Sequence, residues 1–188
     1  MNASLVSDQP LFPGEEILHL SLPGILPAGE ILAIFTPDGV AVRLAAPTRE
    51  GQPPRLLGAR LFTVSECCAL VPLVVSYPHH CPYEVLLTCY QHGATDQVTE
   101  PRVAACRQRL HTLLDHGHGS FEHEMRPVRN IISRVRLKLH AFGIDVTSML
   151  ETGYLLRPLR RRHRRAGTHR RPGPVLASTS TPERRPSR

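Results

Sequence analysis

Between Val128 and Lys138 the chain places four cations, Arg129, Arg134, Arg136 and Lys138, in eleven residues, with Asn130 and Ser133 among them. Guanidinium and ammonium groups neutralise phosphates, and an arginine fork or a side-chain amide can bond one base edge at two points. Whether they act together depends on where a helix would put them. At ~100° per residue, Val128, Ile131, Ile132, Val135, Leu139 and Phe142 share an arc of about 100° that suits a core. Arg129, Asn130, Ser133 and Arg134 project away from that arc. Arg136 and Lys138 lie on its borders, where long stems cover apolar surface while the charges reach outward. Leu137 stands opposite the core arc, where it could meet a thymine methyl. The outer face therefore matches a B-DNA major groove, with a solvated basic surface as the plainer reading.

Other chemistries find less support. His111, Asp115, His116, His118 and His123 crowd thirteen residues. A zinc site needs about four ligands converging tetrahedrally. His111 and Asp115 have helical i, i+4 spacing, but the other histidines fall on a glycine-bearing link, HGHGSFEHEM, that reads as a solvated loop. His79-His80-Cys81 reads as a turn between helices. There is no G-x-S-x-G elbow and no phosphate-cradling glycine loop. We therefore expect no enzyme, no cofactor and no metal. A metal-dependent enzyme using the histidines is the remote alternative.

The charge is unevenly spread. The 188-residue chain carries a formal +7, yet the stretch up to Leu156 holds twelve basic and fifteen acidic residues. From Arg157 onward there are eleven arginines and one acid, Glu183. A mildly acidic body with a strongly basic tail points to a polyanionic partner. The five cysteines form no CxxC pair and read as reduced core thiols. No apolar run approaches the ~18 residues of a membrane span, so no membrane partner is expected. MNASLVSDQPLFPGEE lacks a basic n-region, so no secretory leader is expected either. The single lysine against 22 arginines reads as nucleotide-composition bias.

The elements that must position the basic helix follow from pattern and punctuation. Residues 1–15 read as a flexible arm. Ile17–Leu22 alternates weakly. Ile31–Phe35 and Val40–Leu44 flank the turn Thr36-Pro-Asp-Gly39 as a hairpin, and Ala59–Phe62 follows as a short strand. Thr63-Val-Ser-Glu66 is a capping box opening a first helix to about Val75. Pro72 inside it should cost about 3 kcal/mol or force a kink. A second helix is expected over Pro82–Gln91, a third over Thr99–Asp115 and the basic helix over about Arg126–Phe142, with Gly143 just past its end. Ile144–Met149 and Gly153–Leu156 form a second hairpin. Residues 159–188 lack an apolar face and read as a disordered Arg-rich tail. One domain over residues 16–158 is the expectation, and such a body would bury roughly two thirds of its unfolded surface.

Capped helix, short link, second helix, basic helix, glycine and hairpin, in that order, make a helix-turn-helix followed by a wing. The chain resembles the C-terminal effector domain of OmpR/PhoB-type winged-helix transcriptional regulators. The resemblance rests on Val128, Ile132, Arg134, Val135, Arg136, Lys138 and Leu139, on the closing Gly153, Tyr154 and Leu156, and on Phe62-Thr63-Val64-Ser65-Glu66. It is good over about Leu61–Gln91 and Met125–Pro158. It implies an α+β fold: a winged helix-turn-helix with an N-terminal antiparallel sheet, three to four bundled helices and a C-terminal hairpin wing. It implies a bacterial, cytoplasmic regulator at the nucleoid that binds double-stranded DNA, with Arg134 reading a base and Arg136 and Lys138 on phosphates. Arg129, Asn130 and Ser133 would face the groove, with Thr147 and Tyr154 contributed by the wing. RNA polymerase and a second copy of the chain on DNA are further expected partners.

Three departures from the family stand out. Leu150 and Glu151 replace the usual arginine and glycine of the wing. About 34 residues, Gln91–Glu124, with a helix of their own, replace a short loop that touches polymerase in relatives. No receiver domain is expected ahead of the effector. The arginines Arg102, Arg107 and Arg109 of that extra helix also have helical spacing, but no wing follows them. A winged-helix protein-interaction module, with only non-specific nucleic-acid affinity from its tail, is the alternative reading. The acidic body, Leu137, Leu150 and Glu151 favour it.

Overall fold

A computed structural model describes residues 16–47, 52–93, 98–150 and 152–160. The N-terminal arm and the tail beyond residue 160, like Glu151, lie outside the described residues. The fold is α+β. Strands β1 (Ile17–Leu20), β2 (Glu30–Phe35), β3 (Val40–Ala45) and β4 (Arg55–Leu61) form an antiparallel sheet in sequence order. The β2–β3 register pairs Phe35 with Val40 across the expected Thr36–Gly39 turn. Leu32, Ile34 and Ala41 of this sheet are fully buried. β4 is longer than the Ala59–Phe62 expectation because Arg55 and Leu56 continue its pairing with β3 past a bulge at Arg43/Leu44.

Four helices follow: α1 (Val64–Val75), α2 (Tyr83–His92), α3 (Glu100–Asp115) and α4 (His118–Leu139). The capping box at α1 is formed in both directions. The Glu66 amide donates to Thr63 Oγ1 at 3.3 Å, and the Thr63 amide donates to Glu66 Oε2 at 2.8 Å. Two orphan helix-terminal amides are thereby satisfied. Pro72 is buried inside α1, and the helix continues through it to Val75. Its i−4 hydrogen bond is absent, and packing of Leu70, Val71, Leu73 and Val74 in the core offsets that loss.

The basic helix begins eight residues before its expected start. The link from α3 is only His116 and Gly117, and the rest of HGHGSFEHEM is helical. Phe121 and Met125 are buried and extend the stripe of Val128, Ile131, Ile132, Val135 and Leu139 by two turns. Burying two such side chains stabilises by about 1.5–3 kcal/mol each. That gain outweighs about 1 kcal/mol for a helical glycine such as Gly119. Pro127 is likewise carried inside the helix. At 22 residues α4 spans ~33 Å. A 3-10 turn, His140–Phe142, then closes on Gly143, whose φ of +78° suits a residue without Cβ.

The C-terminal hairpin pairs β6 (Ile144–Met149) with β7 (Gly153–Pro158). A two-residue strand, β5 (Cys81–Pro82), arises between α1 and α2 and pairs with β7, giving the order β5-β7-β6. Gly153 is required there, because a Cβ on it would sit 2.0 Å from the Cys81 carbonyl oxygen. One buried cluster unites the first sheet, all four helices and the hairpin, from Leu18 through Phe142 to Leu156. Arg43 of β3 pairs with Glu30 and donates from Nη1 to the Phe142 carbonyl at 3.0 Å, which ties the first sheet to the end of α4. All five cysteines are buried and free, as expected of core thiols. No described helix is long and apolar enough to cross a membrane.

Candidate nucleic-acid interface

The core stripe of α4 faces α1, α2, α3 and the hairpin, so its opposite side is left to solvent. That side carries His123, Arg126, Asn130, Arg134 and Leu137, all exposed. Arg126, Asn130 and Arg134 succeed one another at i, i+4, one above the next. Among the described residues neither Arg126 nor Arg134 has a hydrogen-bond or ion-pair partner. A guanidinium without a protein acceptor keeps its full fork for an external one. Leu137 is 70% exposed in the middle of this face. Arg126 was not among the expected contacts. Its signal was the i−4 spacing to Asn130, hidden while the helix was expected to begin there.

The remaining expected residues are placed differently. Arg129, Ser133 and Arg136 occupy the flank of α4 that faces the hairpin. Arg129 donates from Nη1 to Glu122 Oε2 at 2.5 Å, and Ser133 Oγ donates to the Arg129 carbonyl at 2.9 Å. Arg136 grips Asp145 of β6 with two bonds, Nε to Oδ1 at 2.6 Å and Nη2 to Oδ2 at 3.2 Å. Asp145 also takes the Val146 amide and meets His140 Nε2, both at 2.9 Å. Burial works to raise the Asp145 carboxyl, but Arg136, His140 and the Val146 amide outweigh it and hold it below the ordinary value.

Lys138 occupies the other flank. Its ammonium bonds Glu66, donates to the Leu61 carbonyl at 2.9 Å and lies 5.2 Å from the Phe62 ring centroid. Among the cations of α4 it is the one committed to a buried carboxylate, since the Glu66 side chain is 4% exposed. In the hairpin, Thr147 accepts from Arg157 Nε. Tyr154 is a packed side chain: its ring meets Tyr83 edge-on at 5.6 Å, and Tyr83 meets Phe121 at 5.8 Å. The eight expected contacts are thus split. Asn130 and Arg134 lie on the open face, Arg129, Ser133 and Arg136 line the hairpin flank, and Lys138, Thr147 and Tyr154 are engaged internally.

Two exposed arginines of α3 are tied to neighbouring helices. Arg107 bonds Glu84 of α2 at 2.8 Å and Arg109 bonds Glu124 of α4 at 2.5 Å. α3 therefore serves as a strut between its neighbours. Among the described residues no group of three or more histidine, cysteine, aspartate or glutamate side chains is placed to hold a metal ion. Compared with known protein families, curated proteins and solved structures, the chain matches none.

Proposed function

We propose that the chain is a sequence-specific, double-stranded-DNA-binding transcriptional regulator of winged-helix form, with α4 as recognition helix and β6–β7 as wing. The carrying observation is the open stripe Arg126, Asn130, Arg134 on a helix whose other side is bound into the core. A helix anchored in this way presents side chains to a major groove without first paying to order them, and preorganisation favours affinity. Arg134 reads a base through its fork, Asn130 bonds a neighbouring base edge, and Arg126 meets a phosphate, while Arg136 stays on Asp145 and ties α4 to the hairpin. β5, coming from between α1 and α2, pins β7 to the helical body. The hairpin can therefore brace the DNA backbone beside α4. Lys138 acts in this reading by holding α4 to α1. The tail arginines add affinity without sequence preference.

The experiment is selection of binding sites from a random duplex pool at near-physiological salt, with the full chain and with a version ending at residue 160. An enriched motif retained without the tail is the expected result. Enrichment of nothing by either form contradicts the reading.

One observation favours a second reading. Leu137 and Leu150 are 70% and 88% exposed. Exposed apolar side chains of this size suit a protein partner, and a winged-helix interaction module would use them. The same selection separates the two, because such a module enriches no motif.

A further inference from the structure

The hairpin flank of α4 holds more than a second row of basic residues. A cleft of about 510 Å³ lies between α4 and the β6–β7 hairpin. Arg129, Ser133 and Arg136 line it from the helix, and Tyr83, Ser148 and Tyr154 bring hydroxyls from α2 and the hairpin. Phe121, Ile132 and Val146 supply its apolar wall. Cavities of roughly 300–1,000 Å³ with an apolar lining and a few convergent polar groups are the form that small-ligand sites take.

One cation of this cleft keeps donors to spare. The Nη2 of Arg129 has no hydrogen-bond partner among the described residues, and the side chain is 37% exposed. Glu122 takes only Nη1 of the same guanidinium, and the Glu122 side chain is 52% exposed. A guanidinium N–H that no protein acceptor takes is open to one brought from outside. A carboxylate is the best such acceptor for an arginine fork, because charge-assisted two-point bonds are the strong ones. A dianion such as phosphate is disfavoured, since Glu122 and Asp145 already stand beside Arg129 and Arg136.

We propose that the cleft between α4 and the β6–β7 hairpin binds a small amphipathic monocarboxylic acid. Its carboxylate pairs with Arg129, within reach of the Ser148 and Tyr83 hydroxyls, which lie 3.4 Å apart. Its apolar body lies on Phe121, Ile132 and Val146. Burial pushes the Tyr154 phenol up, so its hydroxyl is protonated at neutral pH. A consequence rests on the DNA-binding reading above. An acid held by Arg129 draws that flank of α4 away from the duplex, so acid and DNA weaken each other by the same factor.

The test titrates the full chain with 3-phenylpropionate and with its neutral amide, 3-phenylpropionamide, by calorimetry and by NMR of the arginine Nε–Hε signals. Saturable binding of the acid is expected, at least ~10-fold tighter than the amide, with the Arg129 Nε–Hε signal shifted at saturation. Arg129→Ala and the cleft-filling Ser148→Trp should each weaken the acid by at least ~10-fold. The NMR arm needs no variant and decides the case even where a substitution unfolds the chain. Absence of saturable binding, equal binding of acid and amide, or binding indifferent to both substitutions would overturn the site. Adding the acid to a selected duplex complex tests the coupling: reduced DNA affinity supports it, and unchanged affinity overturns it. A duplex selection that enriches nothing refutes the DNA reading alone and leaves the titration to decide the cleft.

Discussion

Lys138 of α4 bonds Glu66 of α1 across 72 residues of sequence, with its ammonium also on the Leu61 carbonyl. The lysine side chain is 31% exposed and its partner 4%. Removing Lys138 leaves the buried Glu66 carboxylate without its counter-charge, with the Thr63 amide as its remaining partner, and breaking a buried pair costs about 3–5 kcal/mol. Lys138→Ala should therefore lower unfolding free energy by about 3 kcal/mol in a urea titration. It should leave the salt dependence of DNA binding nearly unchanged, whereas loss of a phosphate contact would change the slope by ~0.9. A stable Lys138→Ala protein with a reduced salt slope would return this lysine to the phosphate-contact set.

Acid should weaken the fold through two carboxylates. Burial raises Glu66, but the hydrogen bonds from Lys138 and Thr63 outweigh it and hold the group below its ordinary value. Asp145 is lowered in the same way against its own burial. A carboxyl with a folded pKa below its unfolded one stabilises the fold at pH above the unfolded value, about 4. That stabilisation is lost as pH falls through the folded value. Urea midpoints should thus be flat from about pH 7 to 5 on account of these groups and drop below about pH 4. In Asp145→Asn the drop should be shallower, and an unchanged drop would remove Asp145 from the cause.

Gly153 lets β7 approach β5. With an alanine there, Cβ would stand 2.0 Å from the Cys81 oxygen, a backbone atom that cannot swing aside. Gly153→Ala should cost about 1–3 kcal/mol by overpacking. The near-ultraviolet signal of the Tyr83–Tyr154 pair should fall with it. A variant as stable as the parent would mean that the hairpin is not held by β5.

Legibility followed the range of the forces involved. The Thr63–Glu66 capping box and the Thr36–Gly39 turn are local chemistry, and both stood where their residue types put them. The start of α4 did not, because Gly119 and the histidines read as a link. The Phe121–Met125–Val128–Ile132 spacing was the overlooked signal. β5 has two residues and thus no periodicity to detect. The division of the basic residues between open face, cleft and core was beyond pattern reading. It depends on Asp145, Glu66 and Glu122, whose placement beside Arg136, Lys138 and Arg129 is set by tertiary packing or by neighbouring turns.

The tail and the helix should contribute separable kinds of affinity. If the arginines beyond residue 160 neutralise about five phosphates, the logarithm of the association constant should fall with log salt at a slope of roughly −4.5. Deleting residues 161–188 should remove that slope and most binding to random duplex, while preference for a selected site survives. Loss of preference together with the slope would place specificity in the tail.

Arg134 on the open face offers the most direct test. Affinities of the parent and of Arg134→Ala are measured on a selected duplex and on a scrambled one at the same salt. Loss of a bidentate base contact costs about 1–3 kcal/mol of discrimination, or about five- to 150-fold. The predicted result is a fall of that size on the selected duplex with the scrambled one little changed. An equal fall on both duplexes, or no fall on either, would contradict recognition by α4.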